Sequence, residues 1–380
     1  MTDDDAAPTV GRRPLRRFWR SAWGFWTDGG AWLPWSLMGL LFVCVVAQLL
    51  VQYRLNVWNR DFFNALEARN SSEIRGQTLL LPPLVVASVV LAATAVWGRM
   101  TFQRRWRDWM TSHLLGLWLG NDNFRRLDHG GGERQLAEYR IAEDARIATD
   151  APIDLLVGLL ESLLVAATFV VVLWTVGGAL RVGTGDTGVE VPGYLVFASI
   201  GYSMLMTAAM MIVGRNMAHV IERKEQAESE LKFAVARLGG SSDNSTAATV
   251  LTPQTAPVGF ALAEVMRQWK RLCWQHVRTT LVSHGNTLLA PLIGLILCVP
   301  KYIHGSMSLG EVTQAAAAFA AVQGAFNWLV GNYPRLAEWA SSASRVGILL
   351  LAFDVLMSPV RRGDEAQSTL PAGGHGIVSP

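Results

Sequence analysis

The chain has 380 residues, 51% of them apolar and only 17% charged, and its mean hydropathy of +0.26 is that of a membrane protein. A net charge of +3 carried by dispersed arginines excludes a nucleic-acid-binding face, so no nucleic acid is expected as a partner. The three cysteines, Cys44, Cys273 and Cys298, lack metal-ligand spacing and imply neither a disulfide framework nor a metal site.

Residues 1–13 open with an acidic, then Pro-containing stretch without periodicity, which is expected to be disordered. In GRRPLRRFWRSAWGFW, residues 11–26, arginines and tryptophans recur at helical spacing. That pattern predicts an interfacial helix with aromatic rings at headgroup depth and arginines toward anionic lipid, or a basic flank that sets topology.

Six apolar runs are predicted to span a bilayer: 31–52, 78–98, 152–176, 191–213, 281–303 and 311–333. The first is too long for a signal-peptide core and lacks a small-residue cleavage site, so it is expected to be retained. The sixth is Ala-rich and carries Gln314, Gln323 and Asn327, which suits a helix lining a cavity. Of the 33 lysines and arginines, 27 fall before the first run, in 99–150, in 214–280 and after 333. The positive-inside rule therefore places both termini and both long loops in the cytoplasm.

The long loops have helical patterns of their own. The segment after Gly98 continues the second span as an amphipathic helix up to a break at Gly130, Gly131 and Gly132. Beyond Val213 no breaker occurs before Gly239, so one helix is expected from 191 to 238, about 70 Å at 1.5 Å per residue. Residues 239–258, rich in Ser, Thr and Pro, predict a flexible loop. After the sixth span, the stretch beginning at Pro334 predicts one more helix, whose apolar run is too short to cross.

Glu161 stands out in the third span. A carboxylate there costs about 2.5 kcal/mol or more if it faces lipid, so it is expected to face protein or water. Gly158, Glu161, Ser162, Val165 and Thr168 share one helical face, a small and polar stripe able to border a wet cavity. Two uses are open: a proton-coupling site, or a hydrogen bond to a neighbouring helix that only fixes packing. No histidine pair, GxSxG or other enzyme constellation occurs, so the chain is not expected to be an enzyme.

Six spans with short outward loops and two long helical inward loops describe half of an exporter-type ABC transporter membrane domain. The stretches NVWNRDFFNALE (56–67), RIAEDARIATD (140–150), VPGYLVFASIGYSM (191–204) and VQGAFNWLVGNYPRLAEW (322–339) resemble the SbmA/BacA family of peptide transporters and its ABC-permease relatives. The resemblance covers roughly residues 15–355 and implies an all-α transporter domain over 14–357; the polar, Gly- and Pro-containing tail over 358–380 is expected to be disordered. It further implies a domain-swapped homodimer in a bacterial inner membrane, with an aqueous cavity that takes peptides or similar bulky solutes.

Relatives with a fused ATPase use ATP, whereas those without one are thought to couple uptake to the proton gradient. This sequence has no Gly-Lys dipeptide, hence no phosphate-binding P-loop, and ends soon after the sixth span. No cofactor is therefore expected on this chain, and proton coupling is the first expectation. A permease served by an ATPase on a separate chain is the alternative.

Glu143 and Asp144 match the family's Glu-Asp pair at the cytoplasmic mouth, although ion pairs to Arg140 or Arg146 on a solvated helix explain them equally. Asp150 and Asp154 lie one to two turns further on and would extend an acidic lining toward Glu161, suited to cationic peptides. Gln323 and Asn327 are i,i+4 neighbours in a family-like stretch and either line the cavity or bond between helices. Asn56, Trp58, Asp61 and Phe62, in the strongest motif, are expected to form an outer corner or gate.

Overall fold

The computed structural model of the protein describes residues 12–27, 32–120, 123–124, 137–182, 189–241 and 256–357. The expected break at Gly130, Gly131 and Gly132, residues 242–255 of the expected loop, residues 1–11 and the tail 358–380 lie outside the described residues. Arg12 and Arg13 open a helix within the predicted helical stretch 11–26, and its third residue is Pro14, a position where no helical hydrogen-bond donor is lost.

The described elements run α1 (Arg12–Ala22), α2 (Gly24–Thr27), α3 (Trp32–Glu67), α4 (Ser71–Leu119), a π-helical turn (Arg140–Asp144) leading into α5 (Ala145–Gly177), β1 (Ala179–Val182), β2 (Val189–Pro192), α6 (Tyr194–Gly214), α7 (Met217–Ser241), α8 (Ala256–Ile303) and α9 (Leu309–Met357). Among the described residues, six helical stretches are long and apolar enough to cross a membrane, as the apolar runs predict. The long extensions beyond the runs are the same helices prolonged, as in α4 from 98 to Leu119 and α8 from Ala256.

Some boundaries differ from the sequence reading. β1 and β2 pair antiparallel from Ala179 opposite Pro192 to Val182 opposite Val189, so 191–192 belong to a strand and the fourth crossing helix starts at Tyr194. Gly193 turns the chain into α6 at φ 63°, where a Cβ would also strike the Trp174 ring. The helix expected unbroken from 191 to 238 is interrupted after Gly214 by a turn at Arg215 and Asn216, whereas Gly239 and Gly240 lie within α7. Pro334 does not separate two helices: α9 runs through it for 49 residues.

The chain divides into two compact units. The first takes in residues 1–52, 82–161 and 331–380, and the second 53–81 and 162–330. In the first unit, Phe102, Trp106, Met110 and Leu114 recur every fourth residue on α4 and form one buried stripe. Against it lie Phe18, Ala22 and Phe25 from α1 and α2, Ala145 and Ala148 from α5, and Val346, Leu350 and Phe353 from α9.

The amino-terminal helix is thus integrated into a core rather than laid along lipid by all its aromatics. Phe18 is fully buried, although Trp19 and Trp23 stay exposed. Arg17 bonds Asp354 through Nε at 2.6 Å and NH2 at 2.8 Å, and this hydrogen bond, more than the charge attraction, holds its guanidinium above the ordinary arginine range. Gly347 is where α1 crosses α9, since a Cβ there would collide with the carbonyl of Pro14. Gly347→Val is therefore expected to lower stability by about 1–3 kcal/mol and to open α1 to limited proteolysis. A digestion pattern equal to wild type would show that the two helices do not touch there.

The second unit is built on equally close helix contacts. Gly294 on α8 admits Ala316 and Phe319 of α9, whose atoms lie 2.9–3.0 Å from the position of a would-be Cβ. The start of α9 is capped twice. Ser308 and Glu311 bond each other's backbone N–H at 2.8 and 3.2 Å in a capping box, while the Asn64 and Glu67 side chains accept the N–H groups of Gly310 and Leu309 at 2.9 and 3.0 Å.

Candidate functional site

Glu161 sits in the first unit, on the wall of a groove of about 210 Å³. The groove is formed by Cys44, Val45 and Gln48 on α3, Leu91, Ala92, Ala95, Val96 and Arg99 on α4, and Val157 and Glu161 on α5. Most of that lining is apolar, and its polar side chains are Gln48, Arg99 and Glu161. Gln48 donates to Ser88 Oγ at 2.9 Å, which turns its amide so that Oε1 is buried without a partner. Glu161 is exposed in the protomer, and among the described residues it makes no hydrogen bond or ion pair.

The other acids of this region are occupied. Asp144, its side chain 1% exposed, is gripped by Arg345 Nε and NH2 over 2.6–3.0 Å across 201 residues of sequence. Arg345 is itself oriented by Ser341 Oγ at 2.6 Å and Ser342 Oγ at 2.8 Å. The π-helical turn at Arg140–Asp144 brings Ile141 and Asp144 together onto the buried side. Asp154 accepts from Gln103 at 2.8 Å and Arg335 at 2.9 Å, with Arg99 Nε at 3.3 Å. Glu143 pairs with Arg146 at 2.5 Å, and Asp150 lies 3.9 Å from the same arginine, so the ion pair that explains Glu143 as a surface charge is formed.

The four carboxylates at 143–154 therefore contribute little uncompensated negative charge, and Glu161 is the one predicted acid left without a cationic partner among the described residues. Arg99 stands between the two situations, touching Asp154 while lining the groove of Glu161. Arg99, Gln103, Arg335 and Arg345 were not identifiable from sequence as site residues. Their only signal is that each is a polar residue in a helix whose opposite stripe is apolar.

In the second unit, Gln323 is buried and donates to the Ser199 carbonyl at 2.9 Å and Ser203 Oγ at 2.6 Å, tying α9 to α6. Asn327 lines a small polar cavity with Gln323. The motif at 56–67 is the last three turns of α3, so the turn of the chain comes after it, at Arg69 with φ 52°. Asn56 donates to the Gln314 carbonyl at 3.1 Å, and Trp58 donates to the Gln77 carbonyl at 2.8 Å while stacking on Phe62 with centroids 5.2 Å apart. Asp61 pairs with Arg60 at 2.9 Å and Arg54 at 3.7 Å. All four side chains serve contacts within the second unit. Asn64 and Glu67 of the same motif, which cap α9, are the residues the sequence reading passed over.

Helices of this length carrying six apolar segments define a multi-pass membrane protein. Residues 31–246 match the family model described as ABC transporter transmembrane region 2, and the chain belongs to that family of ABC-type transmembrane transporter domains. Among curated relatives, the inner membrane ABC transporter ATP-binding protein YddA of Escherichia coli (strain K12) is 24% identical over 81% of this chain and 56% of its own length. An ABC transporter ATP-binding protein of Synechocystis is 22% identical over 89% of this chain and 49% of its own. ABC transporter D family member 2, chloroplastic, of Arabidopsis thaliana is 18% identical over 93% and 48%. The chain spans about half the length of the curated relatives it matches.

Proposed function

We propose that this chain is the membrane-spanning half of a homodimeric transporter of the SbmA/BacA kind. In this reading it moves peptides or similar bulky solutes inward across a bacterial inner membrane by alternating access, with both termini cytoplasmic. The observation that carries the reading is Glu161, an acid without a partner among the described residues on an apolar crossing helix, beside a groove also lined by Arg99 and Gln48. A carboxylate so placed can load a proton from one side and release it to the other while the groove changes its access. Cargo with cationic groups would meet Glu161 as the free acid of the region, since the acids at the helix start already hold arginines.

ATP is the second energy source to weigh, because relatives of this chain are named ATP-binding proteins. One experiment separates the two. The full-length protein is reconstituted in vesicles and uptake of a labelled cationic peptide is followed under three conditions: an inward proton gradient, the gradient collapsed by an uncoupler, and ATP supplied without a gradient. Uptake that follows the gradient supports proton coupling. Uptake that ignores the gradient and needs ATP assigns the energy to an ATPase, and no peptide movement under any condition removes peptides as cargo.

A further inference from the structure

The six polar side chains that meet between α6, α8 and α9 have no role in the reading above. Ser203 and Thr207 on α6, Ser283 and Asn286 on α8, and Gln323 and Asn327 on α9 line a small, partly open space of about 10 Å³, completed by Met206, Met210, Val282, Phe326 and Val330. Asn286 is 7% exposed and its Oδ1 is buried with no hydrogen-bond partner. An amide oxygen stranded in an apolar span costs several kcal/mol in a hydrocarbon-like setting unless something donates to it.

We propose that this space is a binding site for one ordered water molecule, which donates to Asn286 Oδ1 and joins α8 to the Gln323–Ser203 contact of α6 and α9. Volume and chemistry agree on that occupant. A space of one probe sphere, roughly 10–15 Å³, is the smallest that holds a water, and such waters take two to four hydrogen bonds. The lining supplies hydroxyls and amides and no carboxylate. A neutral molecule is therefore favoured over a sodium ion, whose charge would stand uncompensated inside the span. The direct bond from Gln323 to Ser203 at 2.6 Å fixes two of the three helices, and the water supplies the link to the third.

The test is radiolytic hydroxyl labelling of the full-length protein in lipid nanodiscs, read by mass spectrometry. Met206 and Met210 line the site, while Met204 and Met211 on the same helix face outward and serve as internal controls. A bound water is expected to give several-fold more oxidation at Met206 and Met210 in wild type than in Asn286→Leu, with Met204 and Met211 unchanged. Asn286→Ser, which keeps an oxygen and leaves room, is expected to retain the labelling and guards against a folding artefact. Equal oxidation of Met206 and Met210 in wild type and Asn286→Leu would overturn the site. Labelling that falls when choline chloride is replaced by sodium chloride would overturn the neutral occupant in favour of a cation.

Discussion

Arg345→Met is expected to destabilise the protein by about 3 kcal/mol, more than any other single side-chain truncation among its ion pairs. Asp144 is the reason. Its side chain is 1% exposed, so removing the guanidinium leaves a buried charge without its partner. The reverse substitution should be milder. In Asp144→Leu the freed Arg345 side chain, 41% exposed, can reach water and still donate to Ser341 and Ser342, so the loss is expected near about 1 kcal/mol. Combining Asp144→Leu with Arg345→Met replaces the pair by apolar groups of similar volume and should recover most of the single-variant loss. Thermal unfolding of the three variants in one detergent measures this cycle. If the double variant is as unstable as the sum of the singles, the pair is not coupled as its geometry requires.

That pair also marks the limit of what could be read beforehand. Runs of about 20 apolar residues are a signal carried by the chain locally, and they located all six crossing helices. Capping and breaking signals were less faithful. Gly239, Gly240 and Pro334 read as ends, yet α7 and α9 run through them, because in a long helix one missing donor or one flexible residue is outweighed by the neighbouring turns. NVWNRDFFNALE read as a corner or gate because it lies just outside the first apolar run. Its periodicity is nevertheless helical, and its polar groups are spent on the carbonyl of Gln314 and on the first N–H groups of α9. Partner identity was out of reach altogether. Glu143 and Arg146 are three apart and could be paired on paper, whereas Asp144 with Arg345 and Asp154 with Arg335 are brought together only by the fold. An acidic run in sequence thus became, in three dimensions, a set of neutralised pairs beside one free acid.

For that free acid, the expected result is that Glu161→Gln abolishes uphill accumulation of cargo while leaving cargo binding intact. One proton moved per cycle down a potential of 100 mV contributes about 2.3 kcal/mol, enough for roughly a 50-fold accumulation ratio. Glutamine keeps the shape and hydrogen-bonding reach of the side chain but carries no titratable proton, so the ratio should fall to about one even with the gradient applied. Glu161→Asp restores the acid one methylene short and is expected to recover part of the accumulation. Arg99→Gln sharpens the interpretation, since Arg99 lines the same groove and its other contact, Asp154, keeps Gln103 and Arg335 when it is gone. If Arg99 holds Glu161 ionised during part of the cycle, accumulation falls in Arg99→Gln with stability little changed. Accumulation by Glu161→Gln at the wild-type ratio would take this carboxylate out of the coupling mechanism and leave it a packing role.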